Sequence, residues 1–285
     1  MKRMAQYRFG RSAGWLSVSR LGALAFSLLL VFGQTACHHA AEPSLDDLPV
    51  EKLYNQGVDM MGKKFYKRAA EVFDRVDANY PYSVWATRAQ LMIGFSKYQD
   101  SDYDGAVVAL DHFIQLHPGN RDTPYAYYLK AICYYEQITD IGRDQGATED
   151  AQKSLQAVID RFPDTEYARD ARIKLSLARD HLAGKEMEIG RYYEKHGMYV
   201  AAINRYRTVI SNYQTTTHVP EALARLVESY VAIGLPDEAR KNAAVLGYNY
   251  PNSSWYRDSY DLLIHKHVLN AEATAKEPWY KRAVE

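Results

Sequence analysis

The 285-residue chain is balanced overall, with 35 Lys and Arg against 35 Asp and Glu, but five of the basic residues and no acid precede Cys37. From Cys37 onward 30 basic residues face 35 acidic ones, a mildly acidic body that argues against nucleic-acid binding. With only two cysteines, Cys37 and Cys133, a disulfide framework is excluded as the source of stability.

Residues 1–20 carry Lys2, Arg3, Arg8, Arg11 and Arg20, and residues 21–33 (LGALAFSLLLVFG) are uncharged and leucine-rich. Basic, then apolar, then small residues is the order of an export signal, assigned to residues 1–36. As helix the apolar run reaches about 20 Å, short of a bilayer core of about 30 Å. Cys37 is then a small buried hydrophobe, half of a disulfide, or a point of attachment. It has no surrounding core, and its only possible partner, Cys133, lies in an apolar helical stretch (AYYLKAICYYEQ) that reads as buried. Small residues Thr35 and Ala36 suit lipoprotein cleavage, although Gln34 departs from the usual leucine. Cys37 is therefore read as an S-diacylglycerol, N-acyl cysteine, two anchors on one residue. Residues 37–50 read as a tether, with two prolines, three acids and no apolar face.

From residue 51 to about 270 the apolar residues recur at three and four, which predicts helices throughout. Turns fall at NYP (79–81), LHP (116–118), RFP (161–163), SNYQ (211–214) and NYP (249–251). Proline stops a helix because it lacks an N–H and restrains its predecessor. Pro81, Pro118, Pro163 and Pro251 mark four of these stops. Ala69, Ala106, Ala151, Ala202 and Ala239 each stand at the same distance before a stop. Phe73, Leu110, Leu155 and Tyr206 follow one helical turn later, with Ala243 small in the fifth place. Gly57, Gly94, Ala131, Gly190 and Val227 occupy the matching place in the preceding helix. Small residues on two helices joined by a tight turn let an antiparallel pair approach closely, and such pairs stack.

Five units follow, at about 51–81, 82–118, 121–163, 165–214 and 218–251. Residues 138–148 (ITDIGRDQGAT) read as an inserted mobile loop within unit three. One long helix is expected from Tyr167 to about Lys195, with Gly184 and Gly190 the places where an interruption could fall. A helix over 253–269, capped by Ser253 or Ser254 and packing through Trp255, Tyr260 and Leu263, closes the array. Residues 271–285 read as a flexible tail.

No Gly-rich phosphate loop, G-x-S-x-G or H-E-x-x-H occurs, and neither His38–His39 nor His265–His267 has metal-ligand spacing. No metal and no cofactor beyond the lipid are expected. What remains is surface. Tyr54, Tyr82, Trp85 and Tyr98 are candidate peptide contacts or, equally, packing residues.

The small–bulky–Ala–Phe/Leu–Pro pattern resembles the tetratricopeptide repeat, with Gly57, Met60, Ala69, Phe73 and Pro81 the best match. This implies an all-α superhelical array of five irregular helix pairs plus a capping helix. The leader, the tether and the segments ANYPYSVWATRAQ (78–90), FPDTEYARDARIKLSLARDHLA (162–183) and YYEKHGMYVAAINRYRTVISNY (192–213) resemble the BamD (ComL) family. These are lipoproteins of the outer-membrane β-barrel assembly machine. The resemblance implies a non-enzymatic, lipid-anchored protein on the periplasmic face of the outer membrane. Its N-terminal units would receive unfolded outer-membrane proteins and its C-terminal units a BamA-like barrel partner, beside other assembly lipoproteins. Arg205, with its neighbour Tyr206, falls where the family contacts that partner. His112 and Gln115 stand where basic residues are expected for peptide binding. An envelope adaptor for peptidoglycan or division, and a helical-repeat enzyme with a polar pocket, are the competing readings.

Overall fold

The computed structural model describes residues 48–269 and 279–280. The leader, Cys37 and most of the tether and tail lie outside the described residues. Eleven helices are present among those described: α1 (Val50–Gly62), α2 (Tyr66–Asn79), α3 (Val84–Gln99), α4 (Tyr103–Leu116), α5 (Thr123–Tyr135), α6 (Gly146–Arg161), α7 (Glu166–Lys195), α8 (Tyr199–Asn212), α9 (Val219–Ala232), α10 (Pro236–Asn249) and α11 (Ser254–His265). Each packs on the next in chain order, and α1 on α3, α3 on α5, α5 on α7 and α9 on α11 as well. Packing of a first helix on the first helix of the following unit stacks the pairs into a tetratricopeptide-like array.

The side chains explain the spacing. Ala69, Ala106, Ala151, Ala202 and Ala239 are all fully buried. A Cβ on Gly57 would stand 2.6 Å from Phe73 Cε1, and one on Gly94 2.7 Å from Leu110 Cδ2. A Cβ on Gly190 would collide with the ring of Tyr206. Ala131 shares a buried cluster with Leu155. In the last unit the sizes are reversed: Val227 and Ala243 are both buried in one cluster. The volume at the pair junction is thus filled from one helix or the other, and never from both.

Three helix starts that follow a proline stop (Pro81, Pro163 and Pro251) are capped by a hydroxyl: Ser83 Oγ accepts from Ala86 N (3.1 Å), Thr165 Oγ1 from Ala168 N (3.2 Å) and Ser253 Oγ from Trp255 N (3.1 Å). Pro124, Pro220 and Pro236 sit in the first turns of α5, α9 and α10. The turns within units one, two, four and five each contain one left-handed residue, Lys64 (φ 61°), Ser101 (φ 62°), Gly197 (φ 72°) and Gly234 (φ 76°). The same backbone is built twice with glycine and twice against the preference of a side chain.

The long helix α7 is present over the expected residues and runs unbroken through both glycines. Gly184 instead makes room for neighbours, since a Cβ there would lie 3.0 Å from Ile141 Cδ1 and 3.3 Å from His218 Nε2. The insertion ends earlier than expected, because α6 begins at Gly146 and Thr148 is buried in it. The loop before it is tied internally: Gln145 Nε2 donates to the carbonyls of Asp140 (3.3 Å), Ile141 (3.3 Å) and Arg143 (3.0 Å). The tail is not wholly free of the body. Trp279 is buried, and Tyr280 meets Tyr256 edge-on at 5.7 Å, with both tyrosine rings over Gly247. Cys133 is buried as expected, and that burial raises its thiol pKa to about 12.

Candidate partner-binding surfaces

The four aromatic candidates of the first two units do not form one site. Tyr54 and Trp85 meet across α1 and α3 with ring centroids 4.9 Å apart, and Tyr54 also packs on Phe73 at 5.3 Å. The exposed Arg88 lays its guanidinium 5.3 Å from the Trp85 ring. Tyr98 packs on Tyr103 at the far end of α3, about 20 Å of helix from Trp85. Tyr82 is fully exposed in the α2–α3 turn. Tyr54, Trp85 and Arg88 therefore make a half-buried aromatic spot with a cation, suited to an apolar side chain and a nearby carboxylate. Sequence reasoning missed Arg88, although helix spacing alone sets it one turn from Trp85; stacking of α1 on α3 then adds Tyr54.

His112 lines a different groove, between α2, α3 and α4, with Asp74, Asp77, Gln90, Ile93, Lys97 and Val108. That groove continues past Lys67, Glu71, Asp100 and Asp102. Carboxylates outnumber the two lysines along it, so it does not suit an anionic chain end. Its floor is held by a chain of hydrogen bonds in which His117 Nε2 lies 2.6 Å from Gln90 Oε1 and Gln90 Nε2 donates to Asp77 Oδ1 at 2.7 Å.

In unit four the two adjacent residues singled out have different environments. Arg205 is partly exposed, with its guanidinium 3.2 Å from Glu186 of α7. It borders a shallow cleft of about 240 Å³ with Tyr193, Ala201, Asn204 and Thr208. An apolar strip adjoins that cleft, formed by Met198 and Val200 beside Ile233, with Leu235 also exposed in the neighbouring turn. Tyr206 is wholly buried, and its hydroxyl donates to Glu194 at 2.8 Å. It supports the neighbouring arginine from inside and offers no surface of its own to a partner.

Beneath this surface lies a charged network. Arg225 NH1 pairs with Glu228 at 2.8 Å, its Nε lies 3.6 Å from Glu221 and 3.9 Å from Glu194, and its guanidinium covers Trp255 at 5.6 Å. Arg191 holds Glu221 from the other side at 3.0 Å. Burial raises the Glu194 carboxyl pKa, opposed by the hydrogen bond from Tyr206. The same burial and the adjacent carboxylate push the Tyr206 phenol far up. Both groups are structural here, since α7, α8, α9 and α11 all meet at them.

Among the described residues no three His, Cys, Asp or Glu side chains group as metal ligands, and no helix is long and apolar enough to cross a membrane.

Residues 46–246 match the family described as YfiO, outer membrane lipoprotein. The chain is 50% identical over 226 residues to the outer membrane protein assembly factor BamD of Caulobacter vibrioides, spanning 79% of this chain and 74% of that protein. The chain belongs to the BamD family. BamD of Rickettsia prowazekii is 48% identical over 239 residues, spanning 83% of this chain and 95% of that one. Among solved structures, a thermophilic TPR protein of Thermus thermophilus is similar over 78% of this chain and all of that one, with 17% identity and a TM-score of 0.35. BamD membership makes this chain an outer-membrane lipoprotein and a scaffold, which removes both the helical-repeat enzyme and the peptidoglycan adaptor from consideration.

Proposed function

We propose that this outer-membrane lipoprotein acts in barrel assembly as a two-ended adaptor, anchored by lipid on Cys37. Units four and five hold the periplasmic part of a BamA-like barrel protein, and units one and two hold unfolded outer-membrane proteins. The observation that carries the first contact is the placement of Arg205, a partly exposed guanidinium beside an apolar strip and over a rigid, fully packed base. Arginine offers a planar fork to a partner carboxylate, and the apolar strip supplies area that excludes water around it. Arg205 meets the partner, and Tyr206 keeps α8 seated so that the arginine is presented in one orientation. For the second contact the supporting feature is the Tyr54–Trp85–Arg88 group on α1 and α3. Tyr98, packed on Tyr103 near the other end of α3, lies away from it.

Affinity purification of the chain from detergent-solubilised outer membranes tests the reading. A barrel protein should be recovered with the native chain and depleted with Arg205→Glu. Recovery of the native chain without a barrel partner would sink the proposal.

A further inference from the structure

One apolar edge lies beside the Tyr54–Trp85–Arg88 group and exposes side chains that the packing does not use. In a stack of antiparallel helices the start of α1, the α2–α3 turn and the α4–α5 turn fall on one edge, and the turns within each pair fall on the other. Two hydrogen bonds fix this: Tyr80 Oη donates to the Leu48 carbonyl at 2.9 Å, and His117 reaches Gln90 of α3. On this edge Tyr82 is fully exposed, Val84 is 72% exposed and Leu116 is 53% exposed. The two turns on this edge are also depleted of charge, since residues 78–87 (ANYPYSVWAT) contain no charged side chain and 112–120 (HFIQLHPGN) no Lys, Arg, Asp or Glu, while the start of α1 adds one of each sign, Glu51 and Lys52. The exposed Arg88 and Arg121 flank it, the latter 3.4 Å from Asp122.

We propose that this edge faces phospholipid, with Tyr82, Val84 and Leu116 at the boundary between headgroups and acyl chains. The inference rests on the reading of Cys37 as the lipid anchor. Leu48 follows Cys37 by eleven residues, a covalent reach of at most about 40 Å. The described chain begins on this same edge, so the anchor holds the edge near the bilayer. The composition suits that occupant: tyrosine pairs an apolar body with a polar tip, and flanking arginines attract anionic headgroups.

The test uses the full lipidated chain in vesicles of phosphatidylethanolamine and phosphatidylglycerol at 3:1, with an environment-sensitive NBD label at Tyr82→Cys or Leu116→Cys. Phe65→Cys, on the opposite edge, is the comparison position. Cys133 is buried, so the introduced thiol is the one that reacts. Brominated lipid should quench the labels at 82 and 116 at least twofold and leave the label at 65 unchanged. Vesicle flotation with no quenching at 82 and 116 would overturn the lipid-facing edge while the anchor stands. Failure to float would overturn the anchor and the edge together. Shielding at 82 that appears only on adding the barrel partner, without bromine quenching, would make the edge a protein interface instead.

Discussion

Gly190 of α7 lies directly against the ring of Tyr206 of α8, and the hydroxyl of that ring reaches Glu194 one turn further along α7. A missing side chain and a buried phenol thus fill one space, and a hydrogen bond fixes the ring within it. Gly190→Ala should force the ring aside and cost about 1–3 kcal/mol, read as a lower urea midpoint. Gly62→Ala, with nothing near its Cβ, should be neutral or slightly stabilising. Equal effects of the two substitutions would contradict the packing account.

Tyr206→Phe keeps the ring and removes the donor. The largely buried carboxylate of Glu194 then keeps the long contact from Ser229 (3.4 Å), the distant Arg225 and the neighbouring Glu228. A loss of about 1–3 kcal/mol is expected. Unchanged stability in chemical denaturation would show that the hydrogen bond contributes nothing measurable.

The pH dependence has a definite sign. Burial raises the folded pKa of Glu194 above its ordinary value of 4.5, so the folded chain holds this proton more tightly than the unfolded chain. Its contribution is fully present below pH 4.5 and is lost as pH rises through the folded pKa. Asp170 acts the other way in a lower window. The hydrogen bond from Tyr128, with help from Lys174, holds its pKa below 3.8, so it stabilises above that pH and loses its effect as pH falls. Glu194→Gln should flatten the stability profile above pH 4.5 and leave the acid limb in place. Thermal denaturation across pH 3–7 checks both limbs.

Lys64 and Ser101 hold left-handed backbone at positions where the equivalent turns have Gly197 and Gly234. Lys64→Gly and Ser101→Gly should therefore stabilise by about 0.5–1 kcal/mol each, and additively because they lie in separate units. Gly197→Ala should destabilise by a similar amount. A stabilising Gly197→Ala would show that the turn adapts.

Trp279→Ala removes a buried ring that closes the last unit, with an expected cost of about 3 kcal/mol. A thermal midpoint unchanged from the native chain would mean that residues 279–280 add no stability.

The array was legible in the sequence because the same small residue recurs one turn before the same bulky one, and that spacing has a single packing explanation. The spacing gave the repeat positions, while the structure shows that Phe73 and Leu110 fill the space at Gly57 and Gly94 of their own helix pair. The length of α7 was legible, but the role of its glycines was not. Gly184 and Gly190 look like breaks from helix propensity alone, whereas close approach of Ile141 and the Tyr206 ring is what requires them. Trp279 escaped because its partners lie across a stretch with no periodic pattern. Tyr54 and Trp85 were candidates from the sequence, but their contact was not legible because stacking of α1 on α3, and not spacing, creates it. Arg205 stood out only through family likeness. Nothing in INRYR by itself separates a surface arginine from a buried tyrosine as the contact residue, and their opposite burial answers that.

The central claim, that units four and five present Arg205 to a partner carboxylate, is tested most directly by a charge swap within its own pair. Arg205→Glu combined with Glu186→Arg restores the internal ion pair, which is 3.2 Å long in the native chain, but offers the partner the wrong sign. Binding of the purified barrel protein's periplasmic domain should fall at least tenfold in the swap while the thermal midpoint stays near the native value. Native affinity in the swapped chain would contradict the account and make Arg205 a structural residue.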